Sequence, residues 1–497
     1  MSESIFVKKK SFDDAFFLSY ANNNGVDKDS AEMHRLVSIR PSNRQIIYSD
    51  MLYYNFIHFG INTFTNREWG KGNENPLLFA PTTLDTDQWA EVLAKSGSRG
   101  VIFTAKHHDG FCLWQTETTE HSIKNSHYKN GKGDIVKELA DSCKKFNLKL
   151  GLYLSPWDRN CPLYGRDSYN DFFVKQLTEL CTRYGEIFSF WFDGACGEKA
   201  TLDANFKYDF ERYYAVIRKY QPNAVIAICG PDVRWVGNEG GVSRDSEWCV
   251  VPEFVSDTQA IAERSQQDEN HAVKGKKIIS DCKREDLGSR KFLKNYNRLV
   301  WYPAEVDVSI RKGWFYHKNQ RPKSSKKLVK IYYSSVGGNA SLLLNVPPNK
   351  DGLIDARDIK VLEEFSRVIT NDFSREISYK AFAIGKTKRP ILDEIISSLD
   401  AKSIPFNKDE YYVDCELGCL HRVKKILLKE DIREGERIEL FDVYSRNSRG
   451  KWTLIAKGTT VGMNRILNVK KCKTDAIRIV FKQSRLSPVL RTIKIYE

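Results

Sequence analysis

From residue 50 the chain alternates short apolar runs with amphipathic stretches, and this rhythm restricts the fold more than any single motif does. MLYYNFIHFG (51–60), GVIFTAK (100–106), LKLGLYLS (148–155), IFSFWFDG (187–194) and AVIAICG (224–230) are rich in β-branched and aromatic residues and read as strands. Between them DTDQWAEVLAKSG (85–97), DIVKELADSCKKFN (134–147), DFFVKQLTELCTRYG (171–185) and KYDFERYYAVIRKYQ (207–221) have helical spacing, the first with an acidic start and a glycine stop. Strict alternation of this kind demands parallel strands joined by right-handed crossovers.

Beyond Gly230 a long polar loop intervenes. The pattern then resumes with KKIIS, NRLVWYPAEV, the helical SSKKLVKIYYSS, the strand SLLLNV and the helix IDARDIKVLEEFSRVI. Eight strands in about 320 residues suit an α/β fold of the (β/α)8-barrel type better than an open doubly wound sheet. No strand runs into G-x-G-x-x-G or a P-loop, which removes the common nucleotide-binding alternatives.

After about residue 372 the period becomes two. RVKKILLKE, RIELFDVYS, KWTLIAKG, RILNV, AIRIVFK and RTIKIYE are short alternating strands, as in an antiparallel β-sandwich. The expected division is an N-terminal extension at 1–40, a catalytic barrel at 41–372 and a β-sandwich at 373–497.

Composition narrows the function classes. No uninterrupted apolar stretch of about 18 residues is present, so a membrane-embedded protein is not expected. The formal charge of +14 is diluted by 64 acids, and the basic runs lack interleaved aromatics, so nucleic acid is not an expected partner. No secretory h-region is recognisable near the start, and the eleven cysteines lack paired spacing. Free thiols in a cytoplasmic setting are the simpler expectation, with export open if a leader has been removed; Asn339-Ala-Ser would then be a glycosylation acceptor.

In a barrel, catalytic groups lie at the carboxyl ends of the strands. That rule selects His58; Lys106, His107, His108 and Asp109; Tyr153, Ser155, Trp157 and Asp158; and Trp191 with Asp193. Asp193 follows IFSFWF directly, where a strand would emerge into the barrel mouth. It reads equally as a nucleophile or as an Asp-Gly turn. The KHHD cluster lacks the spacing of a metal site. Paired imidazoles beside aromatics suit a sugar pocket, while a satisfied core histidine and a loop histidine are the plainer alternative. GPDVRWVGNEGG (230–241) is a glycine-rich loop carrying one acid, Glu239, which either swings over the pocket or lies idle in solvent.

The segments HFGINTFTNREWG, KHHDGFCLW, GLYLSPWDRN, FWFDGA, VRWVGNEGG, WYPAEVDVSIRKGWFYH and LLLNVPPNKDGLI, in that order, resemble the α-L-fucosidases of glycoside hydrolase family 29. The loop with Glu239 resembles the subgroup acting on α-1,3- and α-1,4-linked fucose, and AKGTTVGMNRILNV resembles its galactose-binding-like sandwich. The resemblance implies a retaining exo-acting enzyme with Asp193 as nucleophile and Glu239 as acid/base. It further implies His58, Glu68, Trp69, His107, His108, Tyr153, Trp191 and Trp314 as substrate contacts, fucosylated glycans as substrate, and no metal or organic cofactor. Cys196, His121 and Lys312 depart from the family pattern, where asparagine, tyrosine and proline are usual. Two rivals remain: a lectin-like protein that kept the pocket without catalysis, and a basic surface adhesin.

Overall fold

The structure, a computed structural model, describes residues 28–197, 203, 206–264, 284–384, 388–392, 404–407 and 412–497. Among the described residues, ten short strands lie between residue 53 and residue 345: β1 Tyr53–Ile57, β2 Gly100–Lys106, β3 Lys149–Leu154, β4 Ile187–Phe192, β5 Val225–Ile228, β6 Arg234–Trp235, β7 Val250–Pro252, β8 Leu299–Trp301, β9 Ala304–Ser309 and β10 Ser341–Asn345. Eight of them form one parallel sheet in the order β5-β4-β3-β2-β1-β10-β9-β6. The Ile228 N–H donates to the Val233 carbonyl at 2.9 Å, so the two ends of the sheet meet and the barrel all but closes.

The helices start where the sequence offers a cap. Asp85, Asp134, Asp209, Ser324 and Asp355 each accept a backbone N–H of the first turn of the helix that follows. Gly97, with φ of +89°, lets the chain turn off the first of these helices, a conformation costly for a residue with Cβ. Two apolar layers result. The outer one packs helices on strands through Val101, Phe103, Leu152, Phe190 and Leu344. The inner one fills the barrel with Tyr54, Phe56, Ile102, Tyr153, Trp191 and Leu343.

Two sequence expectations change. NRLVWYPAEV is not one strand but two: β8 pairs antiparallel with β7, and β9 enters the barrel. Pro303, which has no N–H to give a ladder, sits at the break. The sixth barrel strand lies inside GPDVRWVGNEGG, where only a loop was expected; it has two residues and no helix precedes it, so no periodicity marks it. KKIIS, expected as a strand, falls outside the described residues.

Beyond the helix Ala356–Asp372 the chain builds an antiparallel sheet around a separate apolar core that includes Val413, Ile426, Phe441, Ile477 and Ile493. Two long strands, Tyr412–Glu430 and Arg465–Ser484, run through it. Register breaks between Glu416 and His421 and between Val423 and Lys425 bend the pair. RILNV and AIRIVFK, expected as separate strands, are the two ends of Arg465–Ser484. The polar stretch between them stays extended because it pairs with His421–Val423. Of the N-terminal extension, the helix Lys28–Ser38 is described; its Met33 and Leu36 pack with Trp301 and Cys249 of the barrel domain and with Ile432 and Met463 beyond it.

Candidate active site

Strand parity determines which side chains enter the barrel, because alternate residues face opposite sides. Tyr54, Phe56, Tyr153 and Trp191 lie in the inner layer, so the next residues of like parity, His58, Ser155 and Asp193, emerge at the carboxyl ends of β1, β3 and β4. On β9 the inward set is polar: Glu305 accepts the Trp191 Nε1–H at 2.7 Å and Asp307 accepts the Trp235 Nε1–H at 2.8 Å.

Hydrogen bonding defines two of the imidazoles. Asn345 Nδ2 donates to the Trp314 carbonyl at 2.7 Å, which fixes the amide so that Oδ1 accepts from His58 Nδ1 at 2.9 Å. His58 Nδ1 therefore carries the proton, and Nε2 is left as an acceptor. Burial pushes the His58 pKa down to about 3, so the ring stays neutral. Ser155 donates its one hydrogen to the Trp157 carbonyl at 2.6 Å and so must accept from His108 Nδ1 at 2.7 Å. In its neutral form His108 has an acceptor at Nε2, 3.7 Å from Asp193 Oδ2. His107 stacks on Tyr153 with ring centroids 5.5 Å apart; burial, then the neighbouring His108 and His58, hold its pKa well below the usual value.

Asp193 is held by three donors, from Ala195, Tyr153 and Gly194. Its Oδ1 accepts the Ala195 N–H at 2.8 Å, its Oδ2 accepts the Tyr153 hydroxyl at 3.0 Å, and about a quarter of the side chain is exposed (25%). Burial raises its pKa, and the donors from Ala195, Tyr153 and Gly194 oppose that rise. Glu239 stands at the exposed mouth and bonds to the Trp314 side chain. Partial desolvation raises its pKa first, the charge of Asp193 raises it further with a smaller push from Glu68, and the Trp314 contact works the other way. Glu68 accepts the Trp314 N–H at 2.7 Å and contacts His317 Nε2 at 2.5 Å. Trp69 stands edge-on to His108 and Trp157. All ten residues singled out by the family resemblance thus join one cluster. It contains two carboxyl groups set apart by environment, imidazole acceptors suited to hydroxyls, and aromatic walls.

Residues 45–371 match the family model for α-L-fucosidase. The chain is 38% identical over 471 residues to α-L-fucosidase 1 of Arabidopsis thaliana, covering 92% of this chain and 87% of that one. It belongs to the α-L-fucosidase family of glycoside hydrolases. A crystal structure from Bacteroides ovatus, provisionally described as an α-L-fucosidase, superposes with a TM-score of 0.81 at 40% identity, covering 95% of this chain and 76% of that one. A family 29 fucosidase of Ruminococcus gnavus, solved in complex with fucose, gives a TM-score of 0.76 at 28% identity, with coverage of 92% and 95%.

Within this fucosidase, some strand-end candidates lie elsewhere. Lys106 donates to Asp158 at 2.8 Å and to Gln176 at 2.9 Å, buried between strand and helix. A register shift between Thr104 and Lys106 reverses the parity of β2 and turns the lysine outward. Asp109 is buried too; it accepts from Phe111 N–H and Asn62 Nδ2, and burial pushes its pKa up to about 7. Glu305, Asp307, Asn345 and Trp235 are not singled out by sequence reasoning. The signal available was the alternation in AEVDVS, which has polar residues on the face that turns inward.

The Glu239 loop is also tied to the C-terminal domain. Arg234 and Arg244, on either side of Glu239, both bond to buried Glu247. Burial would raise the Glu247 carboxyl, but the two guanidinium groups outweigh it and hold it below its ordinary value. The Cys249 N–H donates to Glu436 Oε2 at 2.8 Å, and Asn339 Nδ2 donates to Glu436 Oε1 at 2.7 Å and to the Glu247 carbonyl at 2.9 Å.

Proposed function

We propose that the protein is a retaining exo-α-L-fucosidase that releases terminal α-1,3- or α-1,4-linked fucose through a covalent fucosyl ester on Asp193, with Glu239 as acid and then base. This reading is carried by two carboxyl groups from distant parts of the chain that share one electrostatic environment: Asp193 has orienting donors around it, and Glu239 is raised in pKa partly by the charge of Asp193.

In the first step the Asp193 carboxylate attacks the anomeric carbon while the Glu239 carboxylic acid gives its proton to the leaving glycosidic oxygen. In the second, the Glu239 carboxylate takes a proton from water, the water oxygen bonds to the anomeric carbon, and Asp193 leaves as a carboxylate. His58 and His108 accept sugar hydroxyls at Nε2, Glu68, Trp69, His107, Tyr153 and Trp191 complete the sugar contacts, and Trp314 places Glu239. Aromatic carbons around the ring favour the C6 methyl of fucose, because a 6-hydroxyl there would lose its hydrogen bonds to water. The linkage assignment rests on the likeness of the Glu239 loop to the α-1,3/1,4 subgroup.

Hydrolysis of defined fucosylated oligosaccharides, followed by proton NMR of the first anomer formed, tests the whole reading. Retention yields the α anomer first, and α-1,3/1,4 linkages should be cleaved in preference to α-1,2 and α-1,6. Asp193→Ala should abolish turnover, and Glu239→Ala should slow glycans far more than aryl fucosides with good leaving groups. A β anomer first, or equal mild losses in both variants, would overturn it.

A further inference from the structure

A second cavity, of about 340 Å³, lies on the opposite end of the barrel from the pocket just described. Its barrel wall comes from Asp50 and Leu52, which lead into β1, from Arg99, which leads into β2, and from Tyr332 on the helix Ser325–Ser335. Its other wall is the C-terminal sheet, where Lys429 and Leu427 of one strand are paired with Thr492 and Lys494 of the next and so share a face. The cavity is therefore built jointly by the two domains.

Its charge is one-sided. The lining holds four cationic side chains, Arg99, Lys429, Arg491 and Lys494, and a single carboxylate, Asp50. Asp50 lies 4.0 Å from Arg491, and Lys494 reaches Glu376 at 2.9 Å outside the lining. Half-buried Lys429 sits in the field of the other three cations. Burial is the main cause that lowers its ammonium pKa; Asp50 works against it, and Arg491, Arg99 and Lys494 add to it. Like charges gathered in a half-buried cleft raise the free energy of the empty site and favour a compact anion that reaches several of them at once.

We infer that this cleft is a binding site for a tetrahedral oxyanion, a sulfate or phosphate group, held by Lys429, Arg99, Arg491 and Lys494. Guanidinium forks and ammonium groups from both domains would donate to the same oxygens, with Tyr332 and Tyr496 flanking the group. The same chemistry serves a free inorganic ion or an ester on a glycan chain, and the two are separable by titration.

Isothermal titration of the full chain with sodium sulfate, with galactose 6-sulfate and with galactose, all at ionic strength matched by sodium chloride, tests the site. Saturable one-site binding of sulfate and of the sulfated sugar, with none for galactose, is expected. Equal affinities would identify the free ion as the ligand, and tighter binding of the ester would identify the glycan. Lys429→Met and, separately, Lys494→Gln should weaken binding by about tenfold each, the worth of one charged hydrogen bond. Both should hydrolyse an aryl fucoside at the unaltered rate, which also reports that they fold. Absence of saturable binding by either anion, or affinities unchanged in a folded variant, would overturn the assignment.

Discussion

Glu436→Gln probes whether the C-terminal domain holds the Glu239 loop in place. Glu436 is buried (1% exposed) and its two oxygens accept from Cys249 N–H and Asn339 Nδ2, with the Cys249 thiol as a further partner. Glutamine keeps one acceptor and must aim its NH2 at the other donor, so one hydrogen bond is lost and buried donors oppose each other. Such a change costs about 1–3 kcal/mol. Cys249 and Asn339 both lead to Glu247, which clamps Arg234 and Arg244 on either side of Glu239, so the cost falls on docking of that loop. At about 1.4 kcal/mol per tenfold, the ceiling is roughly a 100-fold loss of the docked population. The assay is kcat/KM for a fucosylated oligosaccharide beside that for an aryl fucoside with a good leaving group, with thermal melting as a check on folding. The oligosaccharide should suffer most of the loss, because on the proposed mechanism only its departure needs a proton from Glu239. Equal losses on both substrates in a variant that remains folded, or a lower melting temperature with kinetics unchanged, would refute the coupling.

Two other outcomes follow from the electrostatics. The Trp314 side-chain bond favours ionised Glu239, so Trp314→Phe should raise the Glu239 pKa and move the basic limb of the kcat/KM profile for oligosaccharides to higher pH; a move to lower pH would contradict that role. Burial pushes Glu305 up to about 7 from an ordinary 4.5, so the folded state holds a proton that the unfolded chain has released in this window, and stability must fall as pH rises through it. A shift of that size corresponds to about 3 kcal/mol. Glu305→Gln should therefore flatten the fall of melting temperature between pH 4.5 and 8, and parallel curves for the two proteins would show that Glu305 does not titrate there.

Much of the barrel was legible because its helices carry their own start signals, as at Asp85 and Asp134, and its first five strands are long enough to show a period. β6 was hidden because two residues have no period, and its place is set by pairing with β9. Lys106 and Asp193 looked alike in sequence, each polar and at a strand end. The bulge in β2 separates them, and a bulge is a property of pairing that one strand does not encode. Glu305 and Asp307 escape sequence reasoning for a different reason. Alternation normally signals polar residues facing water, but helices cover the outside of this barrel, so the polar face of AEVDVS is the one that turns in.

That inward polarity bears on the chemistry. The charge of Asp193 is one cause of the raised Glu239 pKa, so on the proposed pathway the ester that forms at Asp193 removes the cause in the same step that consumes the proton. Glu239 then has a lower pKa at the moment when it must act as a base, and its acidity follows the state of the nucleophile without movement of the loop. Burial first, and then the charges of Glu239 and Glu305, hold the Asp307 pKa well above the carboxylate range. The charges that raise Glu239 are Asp193 first and Glu68 to a smaller extent, so the coupling runs directly between the two carboxyl groups of the proposed mechanism.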